Sequence, residues 1–227
     1  MTAQISVIVP RTKGIPDRDA IWEYIKPRFD GYHIIEVDDP TSKLTAYNKA
    51  AAITSAISKI RGNIVIMSDA DVWCDKLQLA INAVLNGAPF AIPHKHIHRL
   101  SKTTTEKLLA NEPVQELEYV RKQRVVKGGG LIVLHRDVIK AHLPDTRFVG
   151  WGHEDRAWYC ELHTFYPNYW QGSATLYHMY HEWQTRRKDK EQEARNKQLS
   201  LLYKRYMGNK NKMSKKLLAT KPILDLT

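Results

Sequence analysis

Two adjacent carboxylates, Glu154 and Asp155, stand in the stretch Gly-Trp-Gly-His-Glu-Asp-Arg-Ala-Trp, residues 150–158. Acidic residues favour the first turn of a helix, where the macrodipole is positive, so the pair is compatible with an ordinary solvated helix start. Two acids with different neighbours can also hold different chemical roles. The rings and glycines around this pair therefore make it a candidate site as well as a helix start.

A second pair of acids, Asp69 and Asp71, directly follows the apolar run 63–68. Carboxylates at the carboxyl end of a parallel strand project into the crevice where α/β sheets bind ligands. Because one residue separates them, one carboxylate can ligate a hard divalent cation while the other holds a water or a sugar hydroxyl. A nucleotide diphosphate would complete the octahedron around magnesium or manganese. The alternative is a plain loop that leads into a helix cap.

The elements that must position these acids alternate between strand and helix, as in α/β folds. Short apolar runs predict strands at 5–9, 32–37, 63–68 and 128–135. Capping residues, helical spacing and terminating Gly or Pro predict helices over Asp17–Arg28, Thr45–Arg61 and Asp75–Gly87, with Thr45 and Asp75 as caps. The first three strands and the helices between them predict a β-α-β start.

The region 94–127 is basic, rich in histidine and only weakly periodic, which favours a mobile insertion. Within it, His-Lys-His-Ile-His at 94–98 is a candidate contact for phosphate or metal. No internal repeat or low-complexity segment interrupts the chain. With 227 residues and 43% apolar character, the chain is long enough for one α/β domain with an appendage.

Most of the net charge of +11 lies near the end of the chain. Residues 184–217 carry 12 Lys and Arg against 3 Asp and Glu, whereas residues 1–183 carry 22 against 20. This segment predicts one helix ending near Gly208 and then a polar tail, and apolar residues at helical spacing in 198–207 predict that the helix packs on the body. It is either a solvated helix or a contact for a polyanion such as nucleic acid, an anionic glycan or a membrane surface, through Arg186, Arg187, Lys204 and Arg205.

Two cysteines, Cys74 and Cys160, do not make a disulfide framework. The opening residues lack the basic and apolar regions of a signal peptide, and no window reaches 18 consecutive apolar residues. We therefore expect no membrane span and a reducing, cytoplasmic setting.

The motifs follow one another in a specific order. They are Ser-Val-Ile-Val-Pro at 6–10, Glu-Val-Asp-Asp at 36–39, Ala-Tyr-Asn-Lys-Ala at 46–50, Met-Ser-Asp-Ala-Asp-Val-Trp at 67–73, and Gly-Gly-Gly at 128–130 before Phe-Val-Gly-Trp-Gly-His-Glu-Asp at 148–155. This order resembles the GT-A glycosyltransferases, and its later part is similar to the galactosyltransferase and N-acetylgalactosaminyltransferase families, whose second motif is Trp-Gly-x-Glu-Asp. The resemblance implies a Rossmann-like α/β fold with a mixed, mostly parallel sheet flanked by helices. It covers residues 4–183, which implies a catalytic domain over 1–183 and a basic helical extension over 184–227.

For the donor, the resemblance implies a nucleotide-sugar, most simply a UDP-sugar. Asp38 or Asp39 would accept a hydrogen bond from the nucleotide base. Asp71 would be the metal ligand, with Asp69 toward the ribose or the donor sugar. The remaining residues that would line the nucleotide pocket are Pro10, Arg11 and Asn48.

For the acceptor, the resemblance implies that Trp151 and Gly152 form the wall and the close-approach backbone. Asp155 would be the general base of an inverting transfer, and Glu154 would orient it or touch the donor sugar. Galactosyl members of the family have a third acid where this chain has Arg156, so their acceptor recognition does not carry over. Retaining enzymes share the same fold, so both stereochemical outcomes stay open.

The resembled families also place a histidine beyond the acidic motif to complete the metal site. His178 and His181, in Tyr-His-Met-Tyr-His-Glu-Trp at 177–183, lie 23 and 26 residues beyond Asp155. A neutral imidazole beside carboxylates favours manganese over calcium, with magnesium as the alternative. Either histidine can instead be a packed structural residue.

Three functions remain open. A metal-dependent glycosyltransferase uses every motif, whereas a nucleotidyltransferase shares the metal-binding carboxylates but not the Trp-Gly-x-Glu-Asp wall. The third is a non-catalytic nucleic-acid-binding protein, against which the intact acids argue. For a glycosyltransferase, the basic tail suits a large anionic acceptor: either hydroxymethylated bases in DNA, as bacteriophage enzymes glucosylate, or a bacterial surface or capsular glycan.

Overall fold

An eight-stranded mixed sheet forms the middle of the molecule. In the computed structural model, residues 4–40, 46–124, 128–150, 152–182 and 189–221 are described. The strands are Ile5–Pro10 (β1), His33–Val37 (β2), Ile64–Ser68 (β3), Val72–Trp73 (β4), Phe90–Leu100 (β5), Tyr119–Arg124 (β6), Leu131–His135 (β7) and Trp170–His178 (β8). They adjoin in the order β2-β1-β3-β7-β5-β8-β4, with β6 paired to the outer half of β5.

Strand directions agree with a mixed, mostly parallel sheet. Strand β1 is parallel to β2 and β3, and β7 is antiparallel to both β3 and β5. Strand β8 is parallel to β5, so β1, β2, β3, β5 and β8 all run in one direction, while β4, β6 and β7 run in the other. The predicted fold class is therefore confirmed.

Helices cover both faces of this sheet and divide the core into two clusters. They are Pro16–Ile25 (α1), Lys49–Ser55 (α2), Leu77–Leu85 (α3), Lys102–Leu109 (α4), Arg136–Ala141 (α5), Glu154–Phe165 (α6), Lys190–Tyr206 (α7) and Lys210–Lys216 (α8). One cluster packs α2, α5, α6, α7 and α8 on the sheet, and the other packs α1 and α3 on its opposite face. Because β1 and β3 are buried on both faces, they are continuous apolar runs in the sequence.

Two predicted helix starts need revision. The cap of α2 is Asn48, whose side chain accepts a 3.0 Å hydrogen bond from the amide of Ala51, while Thr45 lies outside the described residues. Asp75 does not cap α3, since this helix begins at Leu77 and has no side-chain cap. The α-helix that was predicted to reach Arg61 ends at Ser55 and is followed by a 3-10 turn at 57–59.

The mobile insertion predicted over 94–127 is wrong for most of 94–124, where the outer half of β5, α4 and β6 form regular structure. Residues 94–98 lie inside β5, which pairs with β8 on one side and β6 on the other. His94 is fully buried, and Ile97 packs in the core. The outer half of β5 is only partly buried, so it carries charged and imidazole side chains. Its amino-acid composition therefore does not indicate a strand, although its backbone is paired on both sides.

The C-terminal region packs on the body as its apolar spacing predicts. Helix α7 ends at Tyr206, close to the predicted end at Gly208, and Tyr203 on its inner face is fully buried. The predicted polar tail is wrong, because α8 follows and buries Met213 and then Leu217 beside it. The division of the chain at residues 183 and 184 stays a prediction.

Two further sequence-based expectations concern cysteines and membranes. Cys74 and Cys160 are free and buried, in different core clusters. Within the described ranges, the helices are too short or too polar for any of them to span a bilayer.

Candidate active site

The Asp69-Ala70-Asp71 motif lies between β3 and β4, beside the ends of β7 and β8. Asp69 directly follows β3, and its amide donates a 2.8 Å hydrogen bond to the carbonyl of Gly130 at the start of β7. The carbonyl of Asp71 accepts from the amide of Met179, 2.9 Å away, just beyond β8. The Asp-Ala-Asp turn is therefore held between two neighbouring segments, as the predicted crevice requires.

Asp71, His178 and His181 form what we call the metal group. Nε2 of His181 lies 3.0 Å from Oδ2 of Asp71, and Nε2 of His178 lies 3.9 Å from Oδ1. One ligand atom from each residue lies within 4.8 Å of the other two. A cation with bonds of about 2.1 Å needs ligand atoms about 3 to 4 Å apart, so the three side chains can converge on one ion.

The donor chemistry of the metal group fits a divalent cation. The Nδ1 atoms of His178 and His181 lie 2.8 and 3.1 Å from backbone carbonyls, which places the proton on Nδ1 and leaves Nε2 as the ligand. Burial lowers the pKa of His178 to about 4, so the ring is neutral at pH 7. Oδ1 of Asp71 is buried and accepts no hydrogen bond from the described residues.

Arginine and threonine side chains support the metal group from outside. Nη2 of Arg18 lies 3.3 Å from Nε2 of His181. Burial alone would raise the pKa of Asp71, but His178, His181 and Arg18 hold that pKa well below its usual range. The amide of Tyr180 donates a 2.9 Å hydrogen bond to Oγ1 of Thr105 on α4, so the mispredicted region helps to fix the histidine loop.

Lys49, Asp69, Glu154 and Asp155 form a second set, which we call the lysine group. Nζ of Lys49 lies 2.7 Å from Oδ1 of Asp69 and 3.0 Å from Oδ1 of Asp155. Lys49 is the first residue of α2, and both Glu154 and Asp155 are in the first turn of α6. The two acidic motifs therefore meet through a lysine that the sequence analysis missed, although it directly follows Asn48 in the Ala-Tyr-Asn-Lys-Ala motif.

Burial and neighbouring charge set the protonation of the lysine group. Burial, and after it the adjacent Asp155, raises the pKa of Glu154 to about 7. Burial likewise raises the pKa of Asp69 to about 6 despite the ammonium beside it. Burial would lower the pKa of Lys49, but Asp155 and Asp69 hold it well above its usual value, so this lysine stays charged.

Glycines allow the loop before α6 to approach the strand ends. A Cβ on Gly128 would lie 2.7 Å from the carbonyl oxygen of Asp155, so any side chain there would push α6 away. Gly152 has φ +100 and open space around its Cβ position, so its backbone conformation requires glycine. Its role as a close-approach residue for an acceptor stays a prediction, and Trp151 lies outside the described residues.

Helix α7 holds this loop from the other side. Nδ2 of Asn196, which is 1% exposed, donates hydrogen bonds of 2.9 Å to the carbonyl of Val149 and 3.5 Å to that of Gly152. On the outer face of the same helix, Lys204 and Arg205 are exposed, while Arg186 and Arg187 lie outside the described residues. Helix α7 thus supports the loop before α6 directly.

The predicted nucleotide-pocket residues lie at the ends of β1 and β2. Pro10 is the last residue of β1, and Arg11 pairs with Asp19 and, at 2.8 Å, with Glu36. The amide of Asn48 donates a 2.7 Å hydrogen bond to the buried carboxylate of Asp39.

Asp38 differs from its neighbour Asp39 because it is exposed. It accepts a 3.0 Å hydrogen bond from the hydroxyl of Thr12. Of the two acids left open by the sequence, Asp38 is therefore the accessible one. The binding roles of all these residues stay predictions.

Comparison with known proteins identifies the fold. No protein-family model matches the chain, and no curated protein sequence matches it. The structure is similar to glucosyl-3-phosphoglycerate synthase from Mycobacterium tuberculosis in complex with Mn²⁺ and UDP-glucose, at 16% identity over 88% of this chain and 78% of that chain, with a TM-score of 0.53. The complex of the same synthase with Mg²⁺ and UDP gives 13% identity, 89% and 78% coverage and a TM-score of 0.52. This likeness confirms the GT-A fold.

Proposed function

We propose that this protein is a metal-dependent glycosyltransferase that moves a sugar from a nucleotide-sugar donor, most simply a UDP-sugar, to a hydroxyl acceptor. The observation that carries the proposal is the adjacency of the two groups. Asp71 with its two histidines lies two residues from Asp69, and Asp69 shares a lysine with Asp155. A metal-held leaving group and a base for the incoming hydroxyl can therefore lie side by side. The structural neighbours with UDP-glucose and Mn²⁺ support this reading.

Each group has its own task in this proposal. Asp71, His178 and His181 would hold Mn²⁺ or Mg²⁺, which would neutralise the charge of the departing diphosphate. Asp38 would bind the nucleotide base beside Pro10, with Arg11, Asp39 and Asn48 holding the loops around it. Asp69 would contact the ribose or the donor sugar.

On the acceptor side, Asp155 would take the proton of the incoming hydroxyl in an inverting transfer. Its Oδ1 lies 3.0 Å from Nζ of Lys49, and this contact holds the carboxylate in place. Glu154 has a pKa raised to about 7 by burial, so near neutral pH it can donate a hydrogen bond to Asp155 or the sugar. Trp151 and Gly152 would form the wall against which the acceptor lies.

The test of this function is a panel of nucleotide-sugars, read by thermal shift with and without Mn²⁺ and by hydrolysis of the donor. We expect a metal-dependent rise in melting temperature with a UDP-sugar, and slow hydrolysis of it. Asp137→Asn, at an exposed position on α5, is the matched control and should behave as the wild type. Hydrolysis of nucleoside triphosphates but not of nucleotide-sugars would instead identify a nucleotidyltransferase.

For the acceptor, we propose a polyanion: DNA with hydroxymethylated bases in a bacteriophage-infected host cytoplasm, or a bacterial surface or capsular glycan. The support is the exposed pair Lys204 and Arg205 on the helix whose Asn196 holds the acceptor loop. Acceptor affinity should fall steeply with salt, and charge reversal of Arg186, Arg187, Lys204 and Arg205 should flatten that dependence without changing donor hydrolysis. Weak, salt-insensitive binding to duplex DNA would favour the glycan.

A further inference from the structure

Lys49 lies where the metal-side acid and the proposed base meet, and no sequence motif assigns it a task. We propose that Lys49 is a positioning residue. Its ammonium binds both Asp155 and Asp69 and so keeps the base at a fixed position relative to the donor sugar. The proposal rests on the function above. Its basis is a single Nζ that lies 2.7 Å from one carboxylate and 3.0 Å from the other.

The burial of the three side chains places the lysine below the acids. Lys49 is 18% exposed, whereas Asp69 is 31% and Asp155 is 27% exposed. The lysine side chain is therefore the most buried of the three, and the two carboxylates are more accessible to a substrate. At Asp155 the lysine takes Oδ1, and no described residue donates a hydrogen bond to Oδ2. Oδ2 is thus the oxygen presented to an acceptor hydroxyl.

Local structure fixes the lysine in this place. Asn48 caps α2, which makes Lys49 the first helical residue and aims its side chain past the helix start. Lys49 lines a small pocket together with Ile53 one turn later and Met67 of β3. An apolar stem with a charged head suits this position, because the stem packs and the head reaches the acids.

Loss of the ammonium would leave two carboxylates facing each other. Since both oxygens contact one Nζ, they lie within about 6 Å of each other, a range in which like charges repel strongly when partly buried. The repulsion is relieved when Asp155 turns away or takes a proton, and either change removes a correctly placed base. Lys49 therefore acts through Asp155 and not through direct contact with the reacting atoms.

Kinetics separate this role from direct binding of the donor. Under saturating UDP-sugar and Mn²⁺, Lys49→Met should lower kcat for hydrolysis or transfer about 10²-fold while the donor KM changes less than about twofold. Lys49→Arg, which keeps the charge, should recover most of the loss. Lys49→Met in an Asp155→Asn background should cost little more than Asp155→Asn alone. The control is Lys102→Met, an exposed lysine paired with Glu106 on α4.

A kcat that is unchanged while the donor KM rises tenfold or more would overturn the proposal and make Lys49 a donor ligand. An equal further loss in the Asp155→Asn background would overturn it as well. A stability measurement tests the same point without turnover. It compares the urea midpoints of Lys49→Met, Asp155→Asn and the double variant. The double variant should lose less stability than the sum of the losses in the two single variants. Losses that add strictly would rule out the ion pair between Lys49 and Asp155. Failure of the function itself is distinct, because then the wild type hydrolyses no nucleotide-sugar.

Discussion

The metal group and the lysine group share one sheet edge but neutralise their acids in different ways. In the lysine group, the chain supplies its own cation, since Nζ of Lys49 contacts Asp69 and Asp155. In the metal group, Asp71 faces the Nε2 atoms of two imidazoles, and its buried Oδ1 accepts no hydrogen bond from the described residues. One set of acids is therefore fixed by the fold, and the other is built to take a charge from outside.

Under the proposed function, this difference predicts that one group binds the donor and the other carries the chemistry. A substitution in a site that needs an external cation lowers the affinity for the metal and the nucleotide, because the ion and the diphosphate bind together. A substitution in a site whose geometry is fixed by the protein's own side chains lowers the rate of the chemical step. The comparison fails if variants of the two groups give the same kinetic signature.

The largest effect should follow loss of the metal group. Asp71→Ala or His178→Ala should abolish the Mn²⁺-dependent rise in melting temperature with UDP and lower activity by about 10³-fold or more, while the apoprotein stays folded. Thermal shift with and without EDTA measures the first, and donor hydrolysis measures the second. If both variants still bind metal and nucleotide as the wild type does, the assignment of the ion to this group is wrong.

The second effect concerns the base. Asp155→Asn keeps the shape of the side chain and removes its proton-accepting capacity, so kcat should fall by about 10²-fold or more. Donor binding and its metal dependence should persist, which is the opposite of the result for Asp71→Ala. Turnover at the wild-type rate would exclude the base and favour a retaining route.

The two groups also differ in how far the sequence predicts them. In the metal group, Asp71 follows a strand that its apolar run predicts, and the family resemblance points to His178 and His181. The lysine group depends on how α2 and α6 approach each other from residues about 100 positions apart. Nothing in local periodicity encodes that distance, and Lys49 was therefore missed while its neighbour Asn48 was noticed.

The same reasoning explains what was mispredicted in the fold. Strands β1, β2 and β3 are short apolar runs, and their pattern is sufficient to identify them. The outer half of β5 is half covered and carries His, Lys and Arg, so its pairing with β6 and β8 is visible only in three dimensions. At the end of the chain, Met213 and Leu217 are too few to predict a helix, yet both are buried.

A third prediction uses the raised pKa of Glu154. Burial raises that pKa from 4.5 to about 7, so between these values the folded protein binds more protons than the unfolded chain. Stability from this group is therefore complete below pH 4.5 and is lost as the pH rises through 7. Glu154→Gln removes the titration and should be more stable than wild type at pH 8 by roughly 1 to 2 kcal/mol.

Urea unfolding at pH 4.5 and pH 8 measures this difference. The gain should almost vanish at the lower pH, where Glu154 is protonated in the folded protein and only about half ionised in the unfolded chain. Asp137→Asn, an exposed acid on α5, should show no such dependence. An equal effect at both pH values would mean that packing, not ionisation, separates Glu154 from glutamine.

The smallest effect on activity should come from a substitution of Asn196, which contacts the loop that leads into α6 and the lysine group. Its amide holds the carbonyls of Val149 and Gly152, and Asn196→Ala would leave these partly buried groups without that donor. The expected loss of stability is about 1 to 2 kcal/mol, because the two carbonyls stay shielded from water but lose their hydrogen-bond donor. Exposed Lys197 on the same helix offers a control, Lys197→Ala, which should cost almost nothing.

The kinetic consequence of Asn196→Ala tests the comparison most finely. Because the loop at 149–152 leads directly into Glu154 and Asp155, acceptor KM should rise a few-fold and kcat should fall slightly. The metal group is held instead by Thr105 and the turn after β8, so the Mn²⁺-dependent thermal shift with UDP should be unchanged. A variant that loses metal-dependent donor binding would show that α7 supports both groups, and the two could then no longer be treated as separately built.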